Sequence, residues 1–288
     1  MQPEINCFIA CDTPFESADI VIFGAPYDST TSFRPGTRFG PSAIRSESYG
    51  IETYSPYQDR DLTDMRIFDS GSPELCYGSP EPALEQIERH TAEILAADKI
   101  PVMIGGEHLV TLGAFRAVTE KYGNDVYIIQ FDAHADLRED YLGNKLSHAC
   151  VMRRCHEIVG DGHIFQLGIR SGERTEFEFA AKHTHMYKTG ITGVSFDCID
   201  EIRQSLEGKK IYLTIDLDVL DPSVFPGTGT PEAGGADFNQ LLEALIKLKG
   251  LNIVGADINE LSPHYDQSGS STAIACKILR EMLMILHE

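Results

Sequence analysis

Two segments of this 288-residue chain carry ionisable side chains at a spacing suited to binding metal. Asp132-Ala133-His134-Ala135-Asp136 follows the apolar run Val126 to Phe131, and Asp216-Leu217-Asp218 follows Ile211 to Ile215. In extended backbone, residues two apart share a face, so Asp132, His134 and Asp136 point one way, as do Asp216 and Asp218. His108 comes shortly after a third apolar run, Pro101 to Ile104, where Gly105 and Gly106 permit a tight turn. Four carboxylates and two imidazoles form a hard donor set that suits Mn²⁺, or Mg²⁺, Fe²⁺ or Co²⁺, better than thiolate-seeking ions. Two divalent cations would cancel the four aspartate charges; without them the crowded carboxylates repel and take up protons. Singly, an Asp-x-Asp is an ordinary solvated strand end, and a histidine after Gly-Gly an ordinary packed residue. An apolar strand running straight into three ionisable groups is costly unless they are paired or ligating, and the combination favours metal.

These segments need a scaffold that brings them together. Short apolar runs at 20–23, 101–104, 126–131, 164–167, 211–215 and 253–256 predict strands, several of them continuous rather than alternating, as in sheets buried on both faces. Helical patterns lie around 80–97, 110–122, 144–159, 237–248 and 271–287. The alternation predicts an α/β fold of βαβ units, with one mostly parallel sheet flanked by helices. No linker, repeat or low-complexity tract divides the chain, so a single domain over residues 1–288 is expected. The runs at 101, 126, 211 and 253 all lead into polar residues, the last being Asp257-Ile258-Asn259-Glu260. Ligands of open parallel sheets bind outside the carboxyl ends of the strands, so four segments are expected to converge there.

Composition narrows the partners. The formal net charge of -20 repels polyanions, which argues against nucleic acid and favours a cationic substrate or bound metal. No apolar run is long enough to span a bilayer. The amino-terminal residues lack the basic and apolar stretches of a secretion signal. The 7 cysteines form no Cys-x-x-Cys pair, so reduced thiols and a cytoplasmic location are expected.

Taken in order, Gly105-Gly106-Glu107-His108, Asp132 to Asp136, Thr214-Ile215-Asp216-Leu217-Asp218-Val219-Leu220-Asp221-Pro222 and Asp257 to Glu260 resemble the signature motifs of the ureohydrolase (arginase/agmatinase) superfamily. Residues 32–45 and the Gly/Thr-rich stretch 226–235 resemble its agmatinase branch, and the likeness covers roughly residues 20–287. Glu107 stands where many members have aspartate. The resemblance implies a three-layer α/β/α fold and two Mn²⁺ ions. One would be held by His108, Asp132, Asp136 and Asp216, the other by Asp132, His134, Asp216 and Asp218, with Asp132 and Asp216 bridging. It also implies a homo-oligomer, a hexamer or a trimer. A metal-bridging hydroxide would attack a small cationic guanidine, releasing urea and an amine, with Glu260 as carboxylate partner for the guanidinium nitrogens. His148, otherwise readable as a helix-surface histidine, matches the family's proton-transfer residue. Asn144, in the same segment, is a second substrate-binding candidate beside Glu260.

Agmatine is the expected substrate, because it has no carboxylate to be recognised and its distal amine suits an acidic mouth. Guanidinobutyrate, arginine and formiminoglutamate are sibling readings. A two-metal phosphoesterase would need basic residues near the metals, for which Arg138 and Lys145 are the available groups. A non-catalytic metal-binding protein would show a damaged constellation. Arg34 and Arg38 would repel a cationic substrate and are expected to order a loop or meet a neighbouring subunit. The 226–235 stretch lacks a P-loop ending and is expected to wall the site. Cys150 and Cys155 are expected in the core, and His183-Thr184-His185, despite ligand-like spacing, at the surface.

Overall fold

The computed structural model describes residues 6–191 and 193–287. Ten strands occur in chain order: β1 (Ile20–Ala25), β2 (Tyr54–Ser55), β3 (Arg60–Asp61), β4 (Ile67–Asp69), β5 (Ile100–Gly105), β6 (Val126–Phe131), β7 (Ile164–Ile169), β8 (His185–Lys188), β9 (Lys210–Asp216) and β10 (Asn252–Asn259). The helices are α1 (Gly40–Glu47), α2 (Pro80–Ala96), α3 (Val110–Tyr122), α4 (Val151–Val159), α5 (Arg174–His183), α6 (Ile199–Ser205), α7 (Phe238–Lys247) and α8 (Ser270–Leu286). Eight strands form one sheet in the order β4-β1-β5-β10-β9-β6-β7-β8, and every pair is parallel; β2 and β3 make a separate antiparallel hairpin.

Strand alternation sends successive side chains to opposite faces. Ile20, Ile22, Val102, Ile104, Ile129, Phe131, Leu213 and Ile215 pack with Ile44 of α1, Ile202 of α6, Leu241 of α7 and Leu279 of α8. Val21, Phe23, Met103, Ile128 and Tyr212 pack with Leu84 of α2, Phe115 of α3, Met152 of α4 and Ala180 of α5. The expected three-layer α/β/α architecture is therefore present. Each fully buried aliphatic or aromatic side chain contributes about 1.5–3 kcal/mol relative to exposure, so these two layers anchor the sheet firmly enough to hold charged residues at its edge.

The strands carrying the chemical motifs, β5, β10, β9 and β6, are neighbours at the centre of the sheet. Several elements depart from expectation. The expected helix over 144–159 begins only at Val151: Asn144 closes a turn on Leu146 N, Ser147 is extended, and a 3₁₀ turn spans His148–Cys150. Strand β10 runs through Asp257 to Asn259, because these polar groups are satisfied within the sheet. The edge strands β4 and β8 were not expected; β4 has three residues, and β8, His185-Met186-Tyr187-Lys188, is half-exposed and polar. Helices α1, α5 and α6 were likewise not expected. No helix among the described residues is long and apolar enough to cross a membrane.

Candidate metal centre and cleft

Close backbone approach builds the His108 corner. A Cβ on Gly105 would lie 1.8 Å from Asn259 Oδ1, and one on Gly106 would lie 2.0 Å from the Tyr27 carbonyl oxygen, so only glycine fits at either position. His108 is thereby brought, fully buried, beneath the carboxylates of the neighbouring strand ends. Its Nδ1 lies 3.0 Å from Asp132 Oδ2, 3.0 Å from Asp136 Oδ2 and 3.4 Å from Asp216 Oδ2. A second group adjoins it: His134 Nδ1 lies 2.9 Å from Asp218 Oδ2 and 3.7 Å from Asp132 Oδ1. Asp132 thus presents one oxygen to each group. Asp216 faces the first with Oδ2, while its Oδ1 accepts from Asp218 N at 2.9 Å. Asp136 and Glu260 adopt positive φ, 52° and 66°, a conformation that non-glycine residues seldom take outside sites that need it.

The orientation of His108 is set from behind. Asp257, a buried acceptor, receives Tyr212 Oη at 2.6 Å, Thr214 Oγ1 at 2.5 Å and Asn259 Nδ2 at 2.6 Å. The Thr214 hydroxyl proton is committed to that carboxylate, so its oxygen accepts from His108 Nε2 at 2.9 Å. The Nδ1 lone pair then faces three carboxylates, and Nδ1 has no well-formed hydrogen bond despite complete burial. Burial opposes protonation of His108, yet Asp132 and Asp136 outweigh it and hold the imidazole well above its ordinary range. Burial, with repulsion from Asp136 and Asp218, pushes Asp132 up to about 7, and burial with Asp218 and Asp132 raises Asp216. Burial also disfavours charge on His134, but Asp218 and Asp132 lift it to about 10. Positive charge is wanted at two adjacent points, and imidazole nitrogen with carboxylate oxygen is the donor chemistry of hard divalent ions. The residues fit the two expected metals.

Above this floor lies a cleft of about 260 Å³ lined by His134, Asp136, Tyr141, His148, Glu173 and Thr230, among others. Ser32 N and Oγ contact His148 Nε2 at 3.2 and 3.0 Å. The nitrogen that accepts from this amide is unprotonated, so the neutral ring carries its proton on Nδ1, which lies 3.9 Å from Glu260 Oε1. Burial holds His148 below its ordinary range, hence neutral at pH 7. Glu260 Oε1 accepts from His108 N at 2.8 Å, and burial raises this carboxyl well above the usual range. Asn144 is exposed, turns its amide oxygen to Leu146 N, and is not among the cleft-lining residues; Tyr141 occupies the wall instead. The 226–235 stretch does wall the site, with Thr230 Oγ1 3.4 Å from Asp218 Oδ2.

Sequence reasoning missed the residues that hold these groups. Glu107 does not face the metal groups: its carboxylate accepts from Thr30 N, Thr30 Oγ1 and Thr31 Oγ1, fixing the loop that carries Ser32 to His148. Glu176 accepts from Leu137 N, and Gln130 Nε2 donates to Asp132 Oδ2 at 2.6 Å. Only Glu107, next to a ligand-like histidine, carried a local signal. Arg38 orders its own loop through an ion pair with Asp28, and Cys150 and Cys155 are buried, both as expected.

A two-centre hydrolase site on a parallel α/β/α sheet is the class that this geometry defines. The arginase family model matches residues 18–285. Agmatinase from Bacillus subtilis is 44% identical over 280 residues, covering 96% of this chain and 95% of that protein. Agmatinase from Bacillus anthracis is 43% identical over 282 residues, with 96% and 95% covered. The crystal structure of a candidate agmatinase from Clostridium difficile superposes with a TM-score of 0.90 at 55% identity, covering 94% of this chain and 98% of that one. The chain belongs to the arginase family, and it is a ureohydrolase, a hydrolase of linear amidines.

Proposed function

We propose that the chain hydrolyses agmatine to putrescine and urea with two Mn²⁺ ions. One ion would be held by His108, Asp132, Asp136 and Asp216 and the other by Asp132, His134, Asp216 and Asp218. Bound there, the ions supply Lewis acidity and a water acidified enough to attack near neutral pH. The rest falls to the chain's own groups. Glu260 pairs with the guanidinium nitrogens through charge-assisted hydrogen bonds. His148, neutral and carrying its proton on Nδ1, gives that proton to the departing amine. Asp216 and Asp218 are held in register by the Asp218 amide, and Thr230 closes the cleft over them.

The observation that carries the choice of agmatine is the state of Arg138. Among the described residues lining the cleft it is the only arginine or lysine, and it is occupied by Glu173 at 3.2 Å and Glu176 at 3.4 Å. No free cation is thus offered there to a substrate carboxylate or phosphate, which disfavours arginine, guanidinobutyrate, formiminoglutamate and phosphoesters alike. Glu173 and the nearby Glu232, 3.8 Å from His134 Nε2, give the rim an acidic character that suits a distal ammonium. Manganese-loaded protein should release urea from agmatine far faster than from arginine or guanidinobutyrate; a preference for either anionic-tailed substrate rejects the assignment.

The same reading extends to a cytoplasmic homo-oligomer, a trimer or hexamer. It is supported by exposed Phe33 and Tyr265, each lying against the Arg34 guanidinium. Light scattering on the purified protein tests it, and a monomer at micromolar concentration would reject it.

A further inference from the structure

The two histidines of His183-Thr184-His185 part company in the fold. His183 ends α5, whereas His185 opens β8 and stacks on Phe165 with centroids 4.4 Å apart. His183 instead meets His156, in the last turn of α4, across Asp161. His156 Nε2 lies 2.8 Å and His183 Nδ1 2.7 Å from the same oxygen, Asp161 Oδ1, and one donor atom from each of the three residues lies within 4.8 Å of the others. The rings are fixed by Phe179, which stacks on His183 at 4.3 Å and meets His156 edge-on at 4.9 Å. The backbone is fixed too: Gly160 and Gly162, at φ 80° and 76°, turn the chain around Asp161, and Gly162 N donates to His183 O at 2.9 Å.

We propose that His156, Asp161 and His183 form a mononuclear site for a divalent transition metal such as Zn²⁺, remote from the cleft. Two imidazole nitrogens, one carboxylate oxygen and a water complete a tetrahedral set. With bonds of about 2.0–2.1 Å, tetrahedral ligand atoms stand roughly 3.3 Å apart. The three groups therefore open by about half an ångström, which the largely exposed Asp161 side chain can accommodate. Each imidazole moves its proton to the other ring nitrogen, so no further group has to titrate. The set is richer in nitrogen than the cleft's aspartates and so prefers zinc over manganese. The ion would tie together the far ends of the two helices that support the Asp132 to Asp136 loop. Arg153 N of α4 donates to Asp136 O at 3.2 Å, and Glu176 of α5 accepts from Leu137 N at 2.9 Å.

The test titrates Zn²⁺ into manganese-loaded wild type, His156→Ala, His183→Ala, Asp161→Asn and, as control, His185→Ala. Bound zinc is counted by mass spectrometry after gel filtration, with calorimetry for affinity. Zinc that displaces manganese from the cleft occurs in all five proteins and cancels in the comparison. Wild type and His185→Ala should each retain one more zinc per chain than His156→Ala and His183→Ala, with affinity at least about tenfold weaker in Asp161→Asn. Equal zinc content in all five overturns the site. Should the alanine variants fail to fold, Asp161→Asn, which keeps the side-chain shape, decides alone: unchanged zinc affinity there overturns it equally.

Discussion

Replacing Thr214 with valine removes one oxygen from the centre of the molecule and should weaken a site it never touches directly. The hydroxyl joins His108 Nε2 at 2.9 Å to Asp257 Oδ1 at 2.5 Å. Valine has nearly the same shape, so the substitution leaves the packing in place and deletes both hydrogen bonds. The buried His108 N–H and the buried Asp257 oxygen each lose a partner, at about 1–3 kcal/mol apiece. The metal-free fold should therefore lose roughly 2–6 kcal/mol, a large part of the 5–15 kcal/mol typical of a domain. Asp257 keeps Tyr212 and Asn259, which sets the effect toward the lower end. The second consequence is on metal. Without Thr214 as acceptor, nothing holds the Nε2–H tautomer that aims the Nδ1 lone pair at Asp132, Asp136 and Asp216, and Mn²⁺ affinity should fall about 10–100-fold. Urea denaturation in chelator measures the first effect; titration of apoprotein followed by the signal of free Mn²⁺ measures the second. Affinity unchanged from wild type, in a protein shown to be folded, would refute the view that this hydroxyl orients His108.

Asp132→Asn should retain neither ion, because Asp132 faces both ligand groups; two ions by elemental analysis would remove its shared role. The same variant carries a pH signature in chelator. Asp132 sits at about 7 in the fold and about 3.9 unfolded, so wild type loses stability as pH rises between those values, up to about 1.4 kcal/mol per pH unit. Asparagine has no such term, so the variant should gain on wild type from pH 4 to pH 7; a constant difference refutes the assignment. Glu260→Gln keeps an acceptor for His108 N but loses the charge facing the guanidinium. Its KM for agmatine should rise roughly tenfold or more, from a charge-assisted bond of about 1.5–3 kcal/mol, with metal content unchanged; lost metal instead would place Glu260 among the ligands. His148→Ala should keep metal and lower kcat by about 10²–10⁴, and an unaltered rate across pH would end its role as proton donor.

Much of this centre was legible because it obeys local rules. Residues two apart in Asp132 to Asp136 and Asp216 to Asp218 share a direction in any extended chain, and the strands before them are apolar enough to be recognised without partners. What escaped was set by distant neighbours. β8 has no apolar run because an edge strand is covered on one side only, and Asp257 and Asn259 read as a strand end because their partners, Tyr212 and Thr214, lie some forty residues away. Asn144 was chosen for lying near His148 in sequence, but the turn that Asn144 itself closes carries its side chain away from the cleft. Glu107 looked like a conservative change beside a ligand; its reach to Thr30 spans 77 positions and is invisible to any local pattern.

Why the fold tolerates so much buried charge follows from where the donors are. Gln130, Ala133 N and Asp218 N approach the carboxylates from the sheet side, satisfying Asp132 Oδ2, Asp218 Oδ1 and Asp216 Oδ1. Asp136 Oδ2 and Asp216 Oδ2 are left facing the His108 lone pair across 3.0 and 3.4 Å, with no other donor supplied among the described residues. A protein built for stability alone would have turned one of these groups toward solvent or replaced it by an apolar residue, since an uncompensated buried charge costs several kcal/mol. Here the glycines at 105 and 106, the positive φ of Asp136 and the Asp257 network all act to prevent that escape. The arrangement is self-consistent only when a cation occupies the space between the lone pairs, a proton at one point or a divalent ion at each of two. The same packing that makes the empty centre unfavourable is therefore what makes it bind.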